Sequence, residues 1–150
     1  MAVELTGPAL AGLPAADRAW LAEALGRIEP ILGFPVARAA VRLVDDAAMS
    51  ALHARHMGLD STTDVLTFAE NVPGQPVDVD IAVCIDEAAR RGEGTAHGMR
   101  GELLLYVLHG LLHAAGHDDR DAASYARMHA EEDRILESAG FGRIFEGGQA

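Results

Sequence analysis

Residues 99–119 read MRGELLLYVLHGLLHAAGHDD, and the fold turns on this stretch. Leu104, Leu105, Val107, Leu108, Leu111, Leu112 and Ala115 leave almost no polar side, so the spacing predicts a helix from Met99 to Ala115. A helix apolar nearly all round belongs in the core, with other elements packed around it. Gly116 falls where a left-handed C-terminal cap is expected. Gly110 in the helix interior costs about 1 kcal/mol relative to alanine, which points to something approaching that backbone closely.

Upstream of this helix, Val77, Val79, Ile81 and Val83 alternate strictly and predict a strand over Val77–Ile85. Thr63–Phe68 and Val36–Val44 are two further strand-like runs, with Asn71, Pro73, Gly74 and Pro76 forming a loop. Asp17 is expected to cap a helix carrying Trp20, Leu21, Ala24, Leu25 and Ile28, stopped by Gly33 and Pro35. Asp45-Asp46 starts a short helix with Met49, Leu52 and His56, closed by Gly58, and Asp86 starts another through Arg91. Downstream, Ala122–Ala139 is amphipathic, with Met128, Ile135 and Leu136 as core contacts and Gly140 as the stop. The first fifteen residues carry breakers and no clear pattern. Helix, strand, helix, strand, strand, then helices predict an α+β fold. The expected architecture is a single domain over 1–150 with one mixed sheet of about four strands, packed by helices.

Composition agrees with a packed domain: 150 residues, 49% hydrophobic, mean hydropathy +0.09. The single cysteine, Cys84, excludes an internal disulfide and any multi-cysteine zinc site, and an alternating strand places it in the core. The net charge is −11, and all 12 cations are arginines. Such a balance argues against indiscriminate nucleic-acid binding, which needs a broad basic field, but leaves room for a local arginine patch. Arg38, Arg42, Arg55, Arg90 and Arg91 are the arginines such a phosphate track would use. No run of about 18 apolar residues is present, so no membrane span is expected. Met1-Ala2-Val3-Glu4 lacks the basic-then-apolar order of a secretion signal, and the expected location is cytoplasmic.

The chemistry lies in the histidines. Of seven, His109 and His113 stand four apart on the apolar helix, so both imidazoles share one face at a spacing that suits two ligands of one metal. Two core histidines satisfied by hydrogen bonds are the plainer alternative. A turn at Gly116 brings the following residues back towards that face. Asp119 is the geometric candidate for a third ligand, and His117 its competitor.

This pattern, HGxLHxxGxD, resembles the signature of the YbeY family of bacterial rRNA-maturation endoribonucleases. Thr63-Asp64-Val65-Leu66-Thr67-Phe68 is similar to that family's TDVLSF strand, and Asp80-Ile81 with Cys84 to its GDIxIC strand. Met128, Glu132, Ile135, Leu136 and Gly140 match its MxxxExxILxxxG helix. The resemblance runs from about Val36 to Gly140. It implies a single-strand-specific, metal-dependent endoribonuclease acting in rRNA maturation, the 16S 3' end included, and in ribosome quality control. It further implies one zinc ion per chain, held by His109, His113 and Asp119, and RNA or a ribosomal subunit as partner. The family's third metal histidine is Asp119 here, its usual arginine before the Gly-x-Asp turn is Met57, and its upstream asparagine is His53. The glycine before Asp80 is Val79. Arg55, two residues before Met57, is then the nearest replacement for the missing cation, and joins His109 and His113 as a catalytic candidate.

Two other readings stand beside this one. A zincin peptidase has HExxH, but Gly110 occupies the place of the glutamate base and cannot take a proton. A metal-stabilised ribosome assembly factor without cleavage activity fits the acidic charge and the loss of arginine at position 57. Glu131, Glu132 and Asp133 are expected to form a solvated helix face, and Asp80 either orients a metal histidine or ends a strand.

Overall fold

Alternation with a period of two gives a strand two faces, and both faces of the central strands are used. A computed structural model of the chain describes residues 1–57, 65–69, 72, 74–117 and 120–142. Its strands are β1 (Ala2–Thr6), β2 (Val36–Val44), β3 (Val65–Ala69) and β4 (Val77–Cys84), in one sheet of order β1-β2-β4-β3. β1 and β4 lie parallel to β2, and β3 is antiparallel to β4, so the sheet is mixed. The helices are α1 (Ala15–Ile28), α2 (Asp46–Met57), α3 (Ile85–Gly92), α4 (Gly98–Ala114) and α5 (Ala122–Ser138). The α+β expectation and the sheet of about four strands are met.

Ala39, Val41, Leu43, Val79, Ile81 and Val83 face the main core, which they share with α1, α4 and α5. Val44, Leu66, Ala82 and Cys84 face the other way, against Met49, Ala48 and Leu52 of α2. Every residue of α4 from Gly101 to Leu112 is buried except His109. Gly110 shows what its bare backbone is for: a Cβ there would stand 2.9 Å from Ile81 Cδ1. The close approach expected at this glycine is therefore helix against sheet.

Two expectations are corrected. Asp17 does not cap α1; the helix starts at Ala15 behind Pro14, and Asp17 lies in its first turn, where a negative charge suits the helix dipole. The patternless N-terminus contains β1, a short edge strand that pairs with β2 through its backbone and so needs little side-chain signal. Gly116 behaves as predicted. Its φ is +108°, His117 N–H donates to the Leu112 carbonyl at 2.9 Å, and Gly116 N–H donates to His113 at 3.0 Å. This paired closure is a Schellman motif.

Candidate metal centre

α4 carries His109 and His113 one turn apart, with ring centroids 4.8 Å apart and planes inclined at 73°. Both are half-buried in a helix whose other residues from Gly101 to Ala114 are buried in the core. α5 lies alongside, and its Glu132 reaches His109. Glu132 Oε1 is 3.0 Å from His109 Nδ1, and Oε2 is 3.5 Å from His129 Nδ1. The Glu132 side chain is only 1% exposed. The solvated-face reading of Glu131, Glu132 and Asp133 thus fails for Glu132, because Met128, Glu132, Ile135 and Leu136 all fall on one helical stripe and all are buried. That spacing is the signal by which the sequence could have found it. Tyr125, one turn further back, packs edge-on against His129 with centroids 4.0 Å apart.

The two imidazoles fit a metal. An imidazole binds through an unprotonated nitrogen, and a carboxylate accepting from Nδ1–H of His109 leaves Nε2 as the donor atom. Among the described residues no three His, Cys, Asp or Glu side chains form a ligating set. Asp119, the predicted third ligand, lies outside the described residues. His117 follows the Gly116 turn and sits near α5. There the hydrogen bond from Arg134 is the main cause that holds the Glu131 carboxyl below the usual range.

Arg55 is exposed on α2. α2 packs on the face of β2 and β4 opposite to Ile81 and α4, so the described structure does not bring Arg55 to His109. Asp80 is settled. It shares the outward register with Ala40, and its carboxylate meets the Arg38 guanidinium at 3.2 Å. It therefore orients no histidine of α4, because Val79 and Ile81 on either side of it point towards that helix. Arg38 also pairs with Asp78 at 2.8 Å, Arg90 with Asp46 at 2.7 Å, and Arg91 with Glu87 at 2.9 Å, so these members of the expected phosphate track are neutralised internally. His97 pairs with the buried Glu102 at 2.9 Å at the start of α4. Cys84 is fully buried, as expected, and burial pushes its thiol up to about 11, with the Asp46 carboxylate beside it adding to the shift. That thiol is protonated and inert at neutral pH.

Beside the C-terminal turn of α4 opens a groove of about 250 Å³ with Phe34, Pro35, Val72 and Pro76 among its walls and Gly116 at its edge. No helix among the described residues is long and apolar enough to cross a membrane.

A family model described as Endoribonuclease YbeY matches residues 18–140. Proteins named Endoribonuclease YbeY from Frankia alni, Moorella thermoacetica and Thermobifida fusca are 34%, 35% and 32% identical to this chain. The aligned regions cover 69%, 71% and 90% of this chain, and 64%, 76% and 92% of the relatives. The match therefore spans just under two thirds of the Frankia protein and nearly all of the Thermobifida one. A solution structure of a Thermotoga maritima protein superposes with a TM-score of 0.56 at 27% identity, covering 91% of this chain and 90% of that one. The family model spans most of the chain, and relatives above 30% identity align over more than two thirds of it: this chain belongs to the YbeY endoribonuclease family.

Proposed function

We propose that this chain is a metal-dependent endoribonuclease that cleaves single-stranded RNA in rRNA maturation, the 16S 3' end included, and in ribosome quality control, with one zinc ion held by His109, His113 and Asp119. Family membership supports the reaction class. The observation that carries the metal is the His109–His113 pair, two imidazoles 4.8 Å apart in a helix otherwise buried from Gly101 to Ala114, one of them anchored by a buried carboxylate. Bound there, zinc supplies the Lewis acidity that hydrolysis of a phosphodiester needs.

The chain's own residues do the rest. His109 and His113 present their donors from a rigid helix, which fixes the centre better than a loop would. The core side chains under them exclude water from one side. The adjoining groove offers the Phe34 ring and apolar walls on which unpaired bases rest, in keeping with a single-stranded substrate. Arg55 makes no ion pair among the described residues and stands away from His109, so α2 and the bound strand must come together for its guanidinium to meet a phosphate; on that reading it takes the charge-stabilising part that Met57 cannot play. The ribosomal subunit is the proposed setting and the cytoplasm the proposed location, because that is where such RNA is found. The assembly-factor reading has one supporting observation: among the described residues Arg38, Arg90, Arg91, Arg100 and Arg134 are held in internal ion pairs.

Metal content and cleavage test this together. Elemental analysis of chelator-treated and reloaded protein is expected to give about one zinc per chain, lost in His113→Ala and in Asp119→Ala. Metal retained in Asp119→Ala and lost in His117→Ala would move the third ligand to His117. Arg55→Ala is expected to slow single-turnover cleavage of unpaired RNA about 10²-fold with zinc content unchanged. Fully loaded wild-type protein that binds such RNA without cutting it would favour the assembly factor.

A further inference from the structure

Glu132 is the acidic side chain that the reaction does not obviously need. It is 1% exposed and lies on the apolar stripe of α5 between Met128 and Ile135. Burying a carboxylate is costly unless it is paired and hydrogen-bonded. Its two oxygens face two imidazoles: Oε1 is 3.0 Å from His109 Nδ1, and Oε2 is 3.5 Å from His129 Nδ1. The rings of His109 and His129 lie 6.5 Å apart, so the carboxylate spans the gap between them. A histidine ring rotates readily about its terminal torsion, and either nitrogen can carry its proton. The Glu132 contact settles both freedoms for His109. A carboxylate can only accept here, so the proton sits on Nδ1 and the Nε2 lone pair is left facing away from α5.

Resting on the metal-centre reading above, we infer that Glu132 is a positioning residue: it locks the tautomer and orientation of His109 for metal binding, its second oxygen facing the His129 ring at 3.5 Å. It touches neither metal nor substrate. The contact also couples α5 to α4, because the centre is complete only when the two helices are docked.

The test is metal affinity rather than turnover. Zinc affinity of wild type, Glu132→Gln and Glu132→Ala is measured by competition with a chromophoric chelator, alongside the melting temperature of each metal-free protein. Loss of such an anchoring partner weakens metal binding by about 10–100-fold, and that loss is expected for Glu132→Ala. Glu132→Gln keeps one acceptor for Nδ1–H, folds with the same shape, and is expected to fall between the two. Cobalt substituted for zinc gives a second readout, since a loosened His109 changes the visible absorption of the bound ion. Affinities and cobalt spectra equal to wild type in both variants, even with a lowered melting temperature, would overturn the inference and leave Glu132 a purely structural residue. Wild-type protein that binds no zinc would instead overturn the metal-centre reading on which the inference rests. If Glu132→Ala fails to fold, the glutamine variant alone decides.

Discussion

Gly110 shows how much one residue settles here. It occupies the place where a zincin peptidase carries its glutamate base, and a Cβ there would come within 2.9–3.0 Å of three Ile81 side-chain atoms. The position has room for neither a base nor a methyl group, so a peptidase reading fails on space as well as on chemistry. Overpacking a core typically costs about 1–3 kcal/mol, and alanine returns about 1 kcal/mol of helix propensity. Gly110→Ala is therefore expected to destabilise the protein by about 1 kcal/mol in urea unfolding. Ile81→Val removes the nearest atom, Cδ1. In that background the alanine is expected to cost less, and a double-mutant cycle reads the difference. A stabilising Gly110→Ala would show that Ile81 moves aside freely. The sequence carried half of this argument. It showed that a glycine in the most apolar helix had to face something close, but the partner, 29 residues away on β4, is fixed only by sheet register.

At the scale of elements, α4 and the alternating strands were legible because their patterns are long and unmixed, and their observed bounds fall within a residue of those predicted. β1 was not legible. Its five residues are partly or wholly exposed, and its place is set by backbone pairing to Arg38–Arg42 rather than by hydrophobic period. α5 was legible as a helix but misread on one face, because the run Glu131-Glu132-Asp133 looks solvent-facing until the period is followed through Met128 and Leu136. What starts α5 also matters for the site. Asp121 accepts a hydrogen bond from Ser124 N–H at 2.8 Å, a side-chain N-cap, and that backbone contact holds its carboxyl below the usual range. A depressed pKa means the ionised form is favoured in the folded state. Its stabilisation is complete above the unfolded value near 3.8 and is lost as pH falls through the folded value. Asp121→Ala is expected to lower the melting temperature by a few degrees at pH 7. Asp121→Asn caps about as well without the charge, and is expected to melt near wild type at pH 7 while losing part of the wild-type stability decline below pH 4. A wild-type decline retained in full by the asparagine variant would place the acid-labile group elsewhere.

Across the whole molecule, charge limits how RNA can be held. The chain carries −11 overall, and several of its arginines spend their charge on their own neighbours. Arg38, Arg90, Arg91 and Arg134 pair with acidic side chains, and Arg100 lies over the Trp20 ring with Asp17 nearby. Arg27 donates to the Ala139 carbonyl and stacks on Phe141, closing the end of α5 onto α1. Among the described residues Arg18, Arg42 and Arg55 make neither an ion pair nor a side-chain hydrogen bond, and Arg27 and Arg127 make hydrogen bonds but no ion pair. Each phosphate neutralised on a single strand contributes about 0.7 to the slope of log affinity against log salt. Five guanidinium groups outside any ion pair therefore allow a slope no steeper than about −3.5 for unpaired RNA, well below that of a basic RNA-binding surface. On the proposed function, affinity comes instead from the proposed metal centre, the groove beside Gly116 and the fit of the strand. The expected result is shallow salt dependence in wild type, with a strong fall in affinity on chelation. Arg42→Ala should flatten the slope by about 0.7, while Arg38→Ala should change it little, because Asp78 and Asp80 already neutralise that residue. Fluorescence anisotropy between 50 and 300 mM salt measures all of these slopes. A wild-type slope steeper than about −4 would mean that the internal ion pairs open to meet RNA, and that the acidic balance of the free chain hides a basic surface formed on binding.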